Sequence, residues 1–140
     1  MGNIRLTSGL YRGRVIASPE GEGTRPLLTR LRKSLADLLR PRLTGARVLD
    51  LFAGSGAIAL ELLSNGASHA VVIELEPSAA ELIRKNAFSV GAKVEVLTGD
   101  ALAHLPGIAL RGESFDIVIV APPYGQGLQA RAVAALETTA

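Results

Sequence analysis

Residues Arg47–Glu61 read RVLDLFAGSGAIALE: an apolar run closed by an acid, a Gly-Ser-Gly corner, then apolar residues at helical spacing. This is the grammar of a parallel strand feeding a helix through a tight turn. Glycines at such a turn let the backbone approach a ligand, and the first helical turn offers N–H groups that have no partner within the helix. A small polar cofactor suits that corner. Gly54, Gly56 and Ala59 also satisfy the dinucleotide spacing G-x-G-x-x-G/A, with Glu74 about 20 residues further on, so spacing alone leaves a nicotinamide dinucleotide open.

Downstream of this stretch the pattern is a regular alternation. It predicts strands over Val48–Leu51, Ala70–Glu74, Val94–Leu97 and Phe115–Val120, and helices over Ala57–Asn65, Pro77–Val90 and Gly127–Glu137. In the second of these helices Pro77 suits the first helical position, and Glu81 with Lys85 forms a favourable i,i+4 pair. Strands alternating with helices imply a mostly parallel, doubly wound α/β sheet of Rossmann-like type with right-handed crossovers.

Upstream, Ile4–Thr7 and Arg14–Ala17 read as two short strands of a hairpin around Ser8-Gly9 and Arg12-Gly13. A loop follows over 20–26. Leu28, Leu31, Leu35, Leu38 and Leu39 then recur at helical spacing, predicting a helix that begins near Pro26 and stops before Pro41. We read residues 1–42 as a basic hairpin-and-helix extension and 43–140 as the sheet core, parts of one globular unit.

Charge separates these two parts. Residues 1–42 carry nine Arg or Lys against three acids, a net of +6, whereas the other 98 residues net −4. Eight of those nine are Arg, whose planar fork suits phosphate, so Arg5, Arg12, Arg14, Arg25, Arg30, Arg32 and Lys33 are candidate contacts to a polyanion. A solvated basic surface is the plainer alternative. The absence of cysteine excludes disulfides and thiolate metal sites, and His69 and His104, 35 positions apart, make a poor metal pair. No apolar run approaches bilayer length and the first residues lack a signal-peptide layout, so a soluble cytoplasmic protein with no membrane partner is expected.

Ligands of such a sheet sit beyond the carboxyl ends of its strands. Four polar features fall there: Asp50 with the Gly54-Ser55-Gly56 corner, Glu74, Asp100, and Pro122-Pro123-Tyr124. Glu74 is suited to accept two hydrogen bonds from a ribose diol, or to cap the helix ahead of Pro77. Asp100 can accept from an adenine amino group or serve as an N-cap. Asp50 can orient the glycine corner or balance a positively charged cofactor. The double proline ends its strand and sets a rigid loop at the sheet edge.

DLFAGSG, the acid at Glu74, Gly99-Asp100-Ala101 and the PPY at 122–124, in this order, resemble class I S-adenosylmethionine-dependent methyltransferases that modify exocyclic amino groups of nucleobases. Thr7-Ser8-Gly9, then Tyr11–Arg14 (YRGR) and Thr24–Pro26 (TRP), are similar to the bacterial 16S rRNA guanine-N2 methyltransferases. That resemblance implies S-adenosylmethionine held by Asp50, Phe52, Ala53, Gly54, Ser55 and Gly56, by Glu74 with Leu75, and by Asp100 with Ala101. It implies methyl transfer to N2 of a guanine in small-subunit ribosomal RNA, with Pro122 and Pro123 at the amine and Tyr124 stacked on the extruded base. It also argues against a nicotinamide cofactor, for which PPY has no role.

The sequence departs from the family pattern twice. Ala121 stands where the family has Asp or Asn, leaving only the Pro122 carbonyl as acceptor. The chain also ends where three strands of a seven-stranded sheet would follow, so the apolar strand Phe115–Val120 is expected to offer an edge for self-association. An inactive relative that binds RNA or cofactor without turnover is the alternative reading. An adenine-N6 DNA methyltransferase would share PPY but leaves the basic extension unexplained.

Overall fold

The computed structural model describes residues 2–18 and 26–120. In chain order these form β1 (Gly2–Arg5), β2 (Val15–Ser18), α1 (Pro26–Leu43), β3 (Arg47–Asp50), α2 (Ala57–Ser64), β4 (His69–Glu74), α3 (Pro77–Val90), β5 (Val94–Thr98), α4 (Ala101–Leu110) and β6 (Ile117–Ile119). The four later strands make a parallel sheet in the order β5-β4-β3-β6. β1 and β2 pair antiparallel as a separate hairpin, with Ile4 opposite Ile16.

Period-2 alternation gives the sheet two buried faces. Val48, Ala70 and Val72 face a core shared with the hairpin, α1, α2 and α3. Leu49, Val71 and Ile73 face the other way, onto Ala101, Leu105 and Ile108 of α4. On α3, Ala80, Ile83, Ala87 and Val90 form the 3–4 spaced stripe that lies on the sheet.

Four readings of the sequence need correction or extension. The hairpin strands lie at Gly2–Arg5 and Val15–Ser18, because pairing begins at the outer ends and the inner residues form the turn, where Leu6 N–H bonds Arg14 O at 2.9 Å. α1 does not stop before Pro41 but continues to Leu43. A proline in the last turn forfeits one hydrogen bond, and fully buried Leu43 anchors the extra residues. α4, with Pro106 and Gly107 inside it, is a helix that the predicted alternation of elements omits. β6 is confined to Ile117–Ile119 within the expected Phe115–Val120. The helix expected over 127–137 lies outside the described residues.

The hairpin is fastened to the core by polar contacts. Glu61, fully buried on α2, accepts from Thr7 N–H and Oγ1, Ser8 N–H and the Arg32 guanidinium. Ser64, at the end of α2, accepts Leu10 N–H on its carbonyl (2.7 Å) and Tyr11 N–H on its hydroxyl (2.8 Å). Gly9 sits in the left-handed region at φ +81, and a Cβ there would lie 2.0 Å from Ser64 O. The hairpin turn thus caps the carboxyl end of α2.

Candidate active site

The chain divides at the end of β3. Leu51 N–H bonds Ile119 O of β6 at 3.1 Å, whereas Ala53 N–H bonds Ile73 O of β4 at 3.0 Å. This fork is the topological switch point of the sheet, where a parallel α/β fold opens a crevice at its carboxyl edge. The glycine corner turns in that crevice. Gly54 and Gly56 adopt φ 58 and 82, and a Cβ on Gly56 would press to 3.0 Å from the Ile83 side chain of α3, so both the left-handed backbone and the close approach favour glycine.

Two carboxylates flank the corner. Glu74 accepts Gly54 N–H on Oε1 at 2.8 Å and Glu76 N–H on Oε2 at 2.9 Å, tying the corner to the end of β4 and to the start of α3. Both oxygens keep a free lone pair. Asp50 is buried and accepts Phe52 N–H at 3.2 Å. Burial pushes the Asp50 carboxyl up to about 7, with the Phe52 N–H pulling it back and the Glu74 charge adding to the rise. A buried carboxylate with so little compensation is suited to a cationic ligand.

The remaining described cofactor candidates lie at the same carboxyl ends of β3, β4 and β5. Leu75 leaves the sheet 64% exposed, an apolar side chain directly after Glu74. Asp100 occupies the N-cap position of α4 but makes no side-chain cap bond, and among the described residues its exposed carboxylate has no hydrogen-bond partner. Phe52 packs against the α4-side core and Ala53 is buried, as are Ser55 and Ala101. Ser55 Oγ accepts Ala57 N–H at 3.3 Å, occupying one donor of the first turn of α2. Ala121, Pro122, Pro123 and Tyr124 lie outside the described residues.

The basic candidates separate. Arg32 is not on the surface: it is 5% exposed and its guanidinium donates to Glu61 Oε1 at 2.9 Å and to Arg5 O at 3.2 Å. It is spent on holding α1 and the hairpin to α2. Arg5, Arg12, Arg14, Arg30 and Lys33 are exposed, and Arg5 and Arg12 share an open groove with Asn3, Thr7 and Thr29. Arg25 lies outside the described residues.

Sequence reasoning missed Asn86. Buried on α3, it exchanges two hydrogen bonds with Ala17 of β2 (2.9 and 2.8 Å), and its Nδ2 also reaches Ser55 O at 3.4 Å. The signal was present: an amide interrupts the stripe of α3 at a position whose spacing places it inside.

A second polar cluster lies at the amino edge of the sheet. Ligand atoms of His69, Glu95 and Glu113 fall within 4.8 Å of one another. Arg111 grips both oxygens of Glu95, and Arg47 and Arg111 share Glu113 Oε1. Two guanidiniums already balance two carboxylates, an arrangement of ion pairs rather than of cation ligands.

The fold that carries this site is shared with known proteins. A family model described as "Conserved hypothetical protein 95" matches residues 4–140. The chain belongs to this family. Its relatives are methyltransferases and its structural neighbours include methyltransferases solved with S-adenosylmethionine or S-adenosylhomocysteine bound, and the chain is an S-adenosylmethionine-dependent methyltransferase. This methyltransferase is 36% identical over 137 residues to "Ribosomal RNA small subunit methyltransferase D" of Escherichia coli K12, covering 97% of this chain and 68% of that protein. A hypothetical protein of Thermus thermophilus superposes with a TM-score of 0.83 at 36% identity, covering 97% of this chain and 78% of that one. The O-methyltransferase TomG of Streptomyces achromogenes, solved in complex with S-adenosylmethionine, gives a TM-score of 0.64 at 27% identity over 78% of this chain and 50% of its own.

Proposed function

We propose that this methyltransferase transfers the methyl group of S-adenosylmethionine to the exocyclic N2 of a guanine in 16S ribosomal RNA. The observation that carries the reading is the pair of carboxylates, Asp50 and Glu74, on either side of the glycine corner at the switch point. The 36% identity to a small-subunit rRNA methyltransferase supports the choice of substrate. The residues fit the cofactor. Glu74 offers acceptors to a ribose diol, Asp100 to an adenine amino group, and Leu75 an apolar surface beside them. Phe52, Ala53, Gly54, Ser55, Gly56 and Ala101 form the surrounding wall, and the Asp50 charge opposes the cofactor's ammonium and sulfonium groups.

When bound, the cofactor supplies an electrophilic methyl group. The protein's task is to align the guanine amine, a poor nucleophile whose lone pair is delocalised into the ring. Acceptors at the amine N–H groups localise that pair and stabilise the charge that develops. We assign this work to the Pro122 carbonyl, with Tyr124 stacking on the base and Pro123 stiffening the loop. Residues 1–42 form the RNA-facing extension, in which Arg5, Arg12, Arg14, Arg30 and Lys33 meet phosphates and Arg25 extends that set.

Ala121 favours a second reading, in which the chain binds RNA and cofactor without turnover. Removing one preorganised polar group costs about 10²- to 10³-fold in rate. The test is labelled methyl transfer to small ribosomal subunits lacking the modification, by this chain and by Ala121→Asp. Transfer by both supports the enzyme reading, with the substituted chain faster. Transfer by Ala121→Asp alone makes position 121 the lesion. Transfer by neither favours the binding-only reading.

A further inference from the structure

Phe88, on the last turn of α3, is 90% exposed. The stripe of α3 that packs on the sheet is complete without it. An isolated exposed apolar residue needs no explanation by itself, but the surroundings of this ring are specific. Lys85, one turn earlier, makes no ion pair among the described residues: the expected partner Glu81 turns instead to Arg84 at 3.3 Å. The Arg14 guanidinium of the hairpin donates to Ser89 O, the residue next to Phe88. Among the described residues that is its one side-chain bond, which leaves four of its five N–H groups available. An exposed aromatic side chain therefore has two cations on or at neighbouring residues of the same helix turn, on a surface continuous with the arginine-bearing hairpin.

We propose that Phe88 is a stacking platform for an unpaired base of the RNA substrate, with Arg14 and Lys85 holding the adjoining phosphates. The proposal rests on the RNA reading given above and adds a contact remote from the reacting nucleotide. α3 begins beside Glu74 and advances about 1.5 Å per residue, so Phe88 stands roughly 16 Å along the helix from the cofactor edge. That is a few nucleotides of an extended strand. Aromatic faces flanked by cations are how single strands are held without sequence readout, because every base has a π-face. A second copy of this chain is a poorer occupant, since it would bring a like-charged patch to the same place.

The experiment measures affinity of the full chain for a labelled single-stranded RNA and for small ribosomal subunits, comparing wild type, Phe88→Ala, Phe88→Trp and Leu110→Ala. Leu110 is 88% exposed on α4 and serves as the surface control. Phe88→Ala is expected to weaken RNA binding roughly 5- to 150-fold, with Phe88→Trp near wild type and Leu110→Ala unchanged. The chain contains no tryptophan, so Phe88→Trp is its sole indole reporter, and its fluorescence should be quenched by a stacked base. Lys85→Ala should lower the log–log salt slope by about 0.7.

Phe88→Ala binding within twofold of wild type overturns the proposal, as does an unquenched indole at saturating RNA. An effect on assembled subunits but not on free RNA also overturns it, by assigning the face to a protein. A wild-type chain with no RNA affinity sinks both this inference and the function proposed above.

Discussion

The Arg32 guanidinium and the Glu61 carboxylate meet at 2.9 Å with 6% and 0% of their side chains exposed, and the same carboxylate receives the backbone N–H groups of Thr7 and Ser8. α1, the hairpin turn and α2 converge on this one group. Its removal would strand a buried guanidinium and two backbone donors together. Glu61→Ala is expected to cost about 3–5 kcal/mol in urea unfolding. Replacing both partners by Met and Leu should cost clearly less, because no charge is then left unpaired. Equal losses in the single and double variants would refute this account.

At Gly9 a methyl group would lie 2.0 Å from the Ser64 carbonyl oxygen, at a φ of +81. Gly9→Ala should destabilise the fold by roughly 2–4 kcal/mol, since both the backbone conformation and the close approach to α2 are lost. Gly13→Ala serves as the comparison in the same unfolding measurement: φ is +83, yet no atom of the described residues lies within 4 Å of its Cβ, so only the conformational part, about 1 kcal/mol, applies.

Asp50 makes ligand-free stability depend on pH. Its folded pKa of about 7 lies above the ordinary 3.8, so its carboxyl favours the folded state fully below pH 3.8 and loses that contribution as pH rises through 7. The loss is roughly 4 kcal/mol, counting about 1.4 kcal/mol per pKa unit. Asp50→Asn should flatten this slope and stabilise the free protein at alkaline pH. A cationic cofactor prefers the carboxylate, so binding should tighten as pH rises through about 7 and release a proton. Calorimetry in buffers of different ionisation enthalpy reads that release, and an unchanged heat would remove Asp50 from the binding site.

At the opposite sheet edge, hydrogen bonding to Arg111 holds the Glu95 carboxyl below its ordinary range. A lowered pKa contributes stability above pH 4.5 that fades as pH falls. Arg111→Gln should return Glu95 toward an ordinary titration by NMR, with little change in thermal stability at neutral pH because the pair is solvent-screened. A large stability loss would mean that the pair bears more of the fold than its exposure implies.

The sheet and its glycine corner were legible because their signals are local. Alternation along Val48–Asp50 and Ala70–Glu74, and the 3–4 stripe of α3, require only the period of each element. The fastening of the hairpin was not legible. Glu61 reads as an ordinary acid within ALELL, and Arg32 as one more surface cation, until tertiary packing brings them together. α4 was not among the predicted helices: Pro106 and Gly107 are poor helix formers, although Leu105 and Ile108 on either side of them are buried. The acids at 50, 74 and 100 could be placed at strand ends, but the N–H groups of Phe52, Gly54 and Glu76 that the first two of them accept follow from how the turn folds back on itself.

Asn86 bears on how such proteins could be recombined. Its amide is shared between Ala17 of the hairpin and Ser55 of the glycine corner, so the hairpin is not a detachable module that a relative could lend unaltered. A chimera that imports residues 2–18 must bring a compatible residue 86 with it, or accept a hairpin whose second strand has lost its anchor on α3.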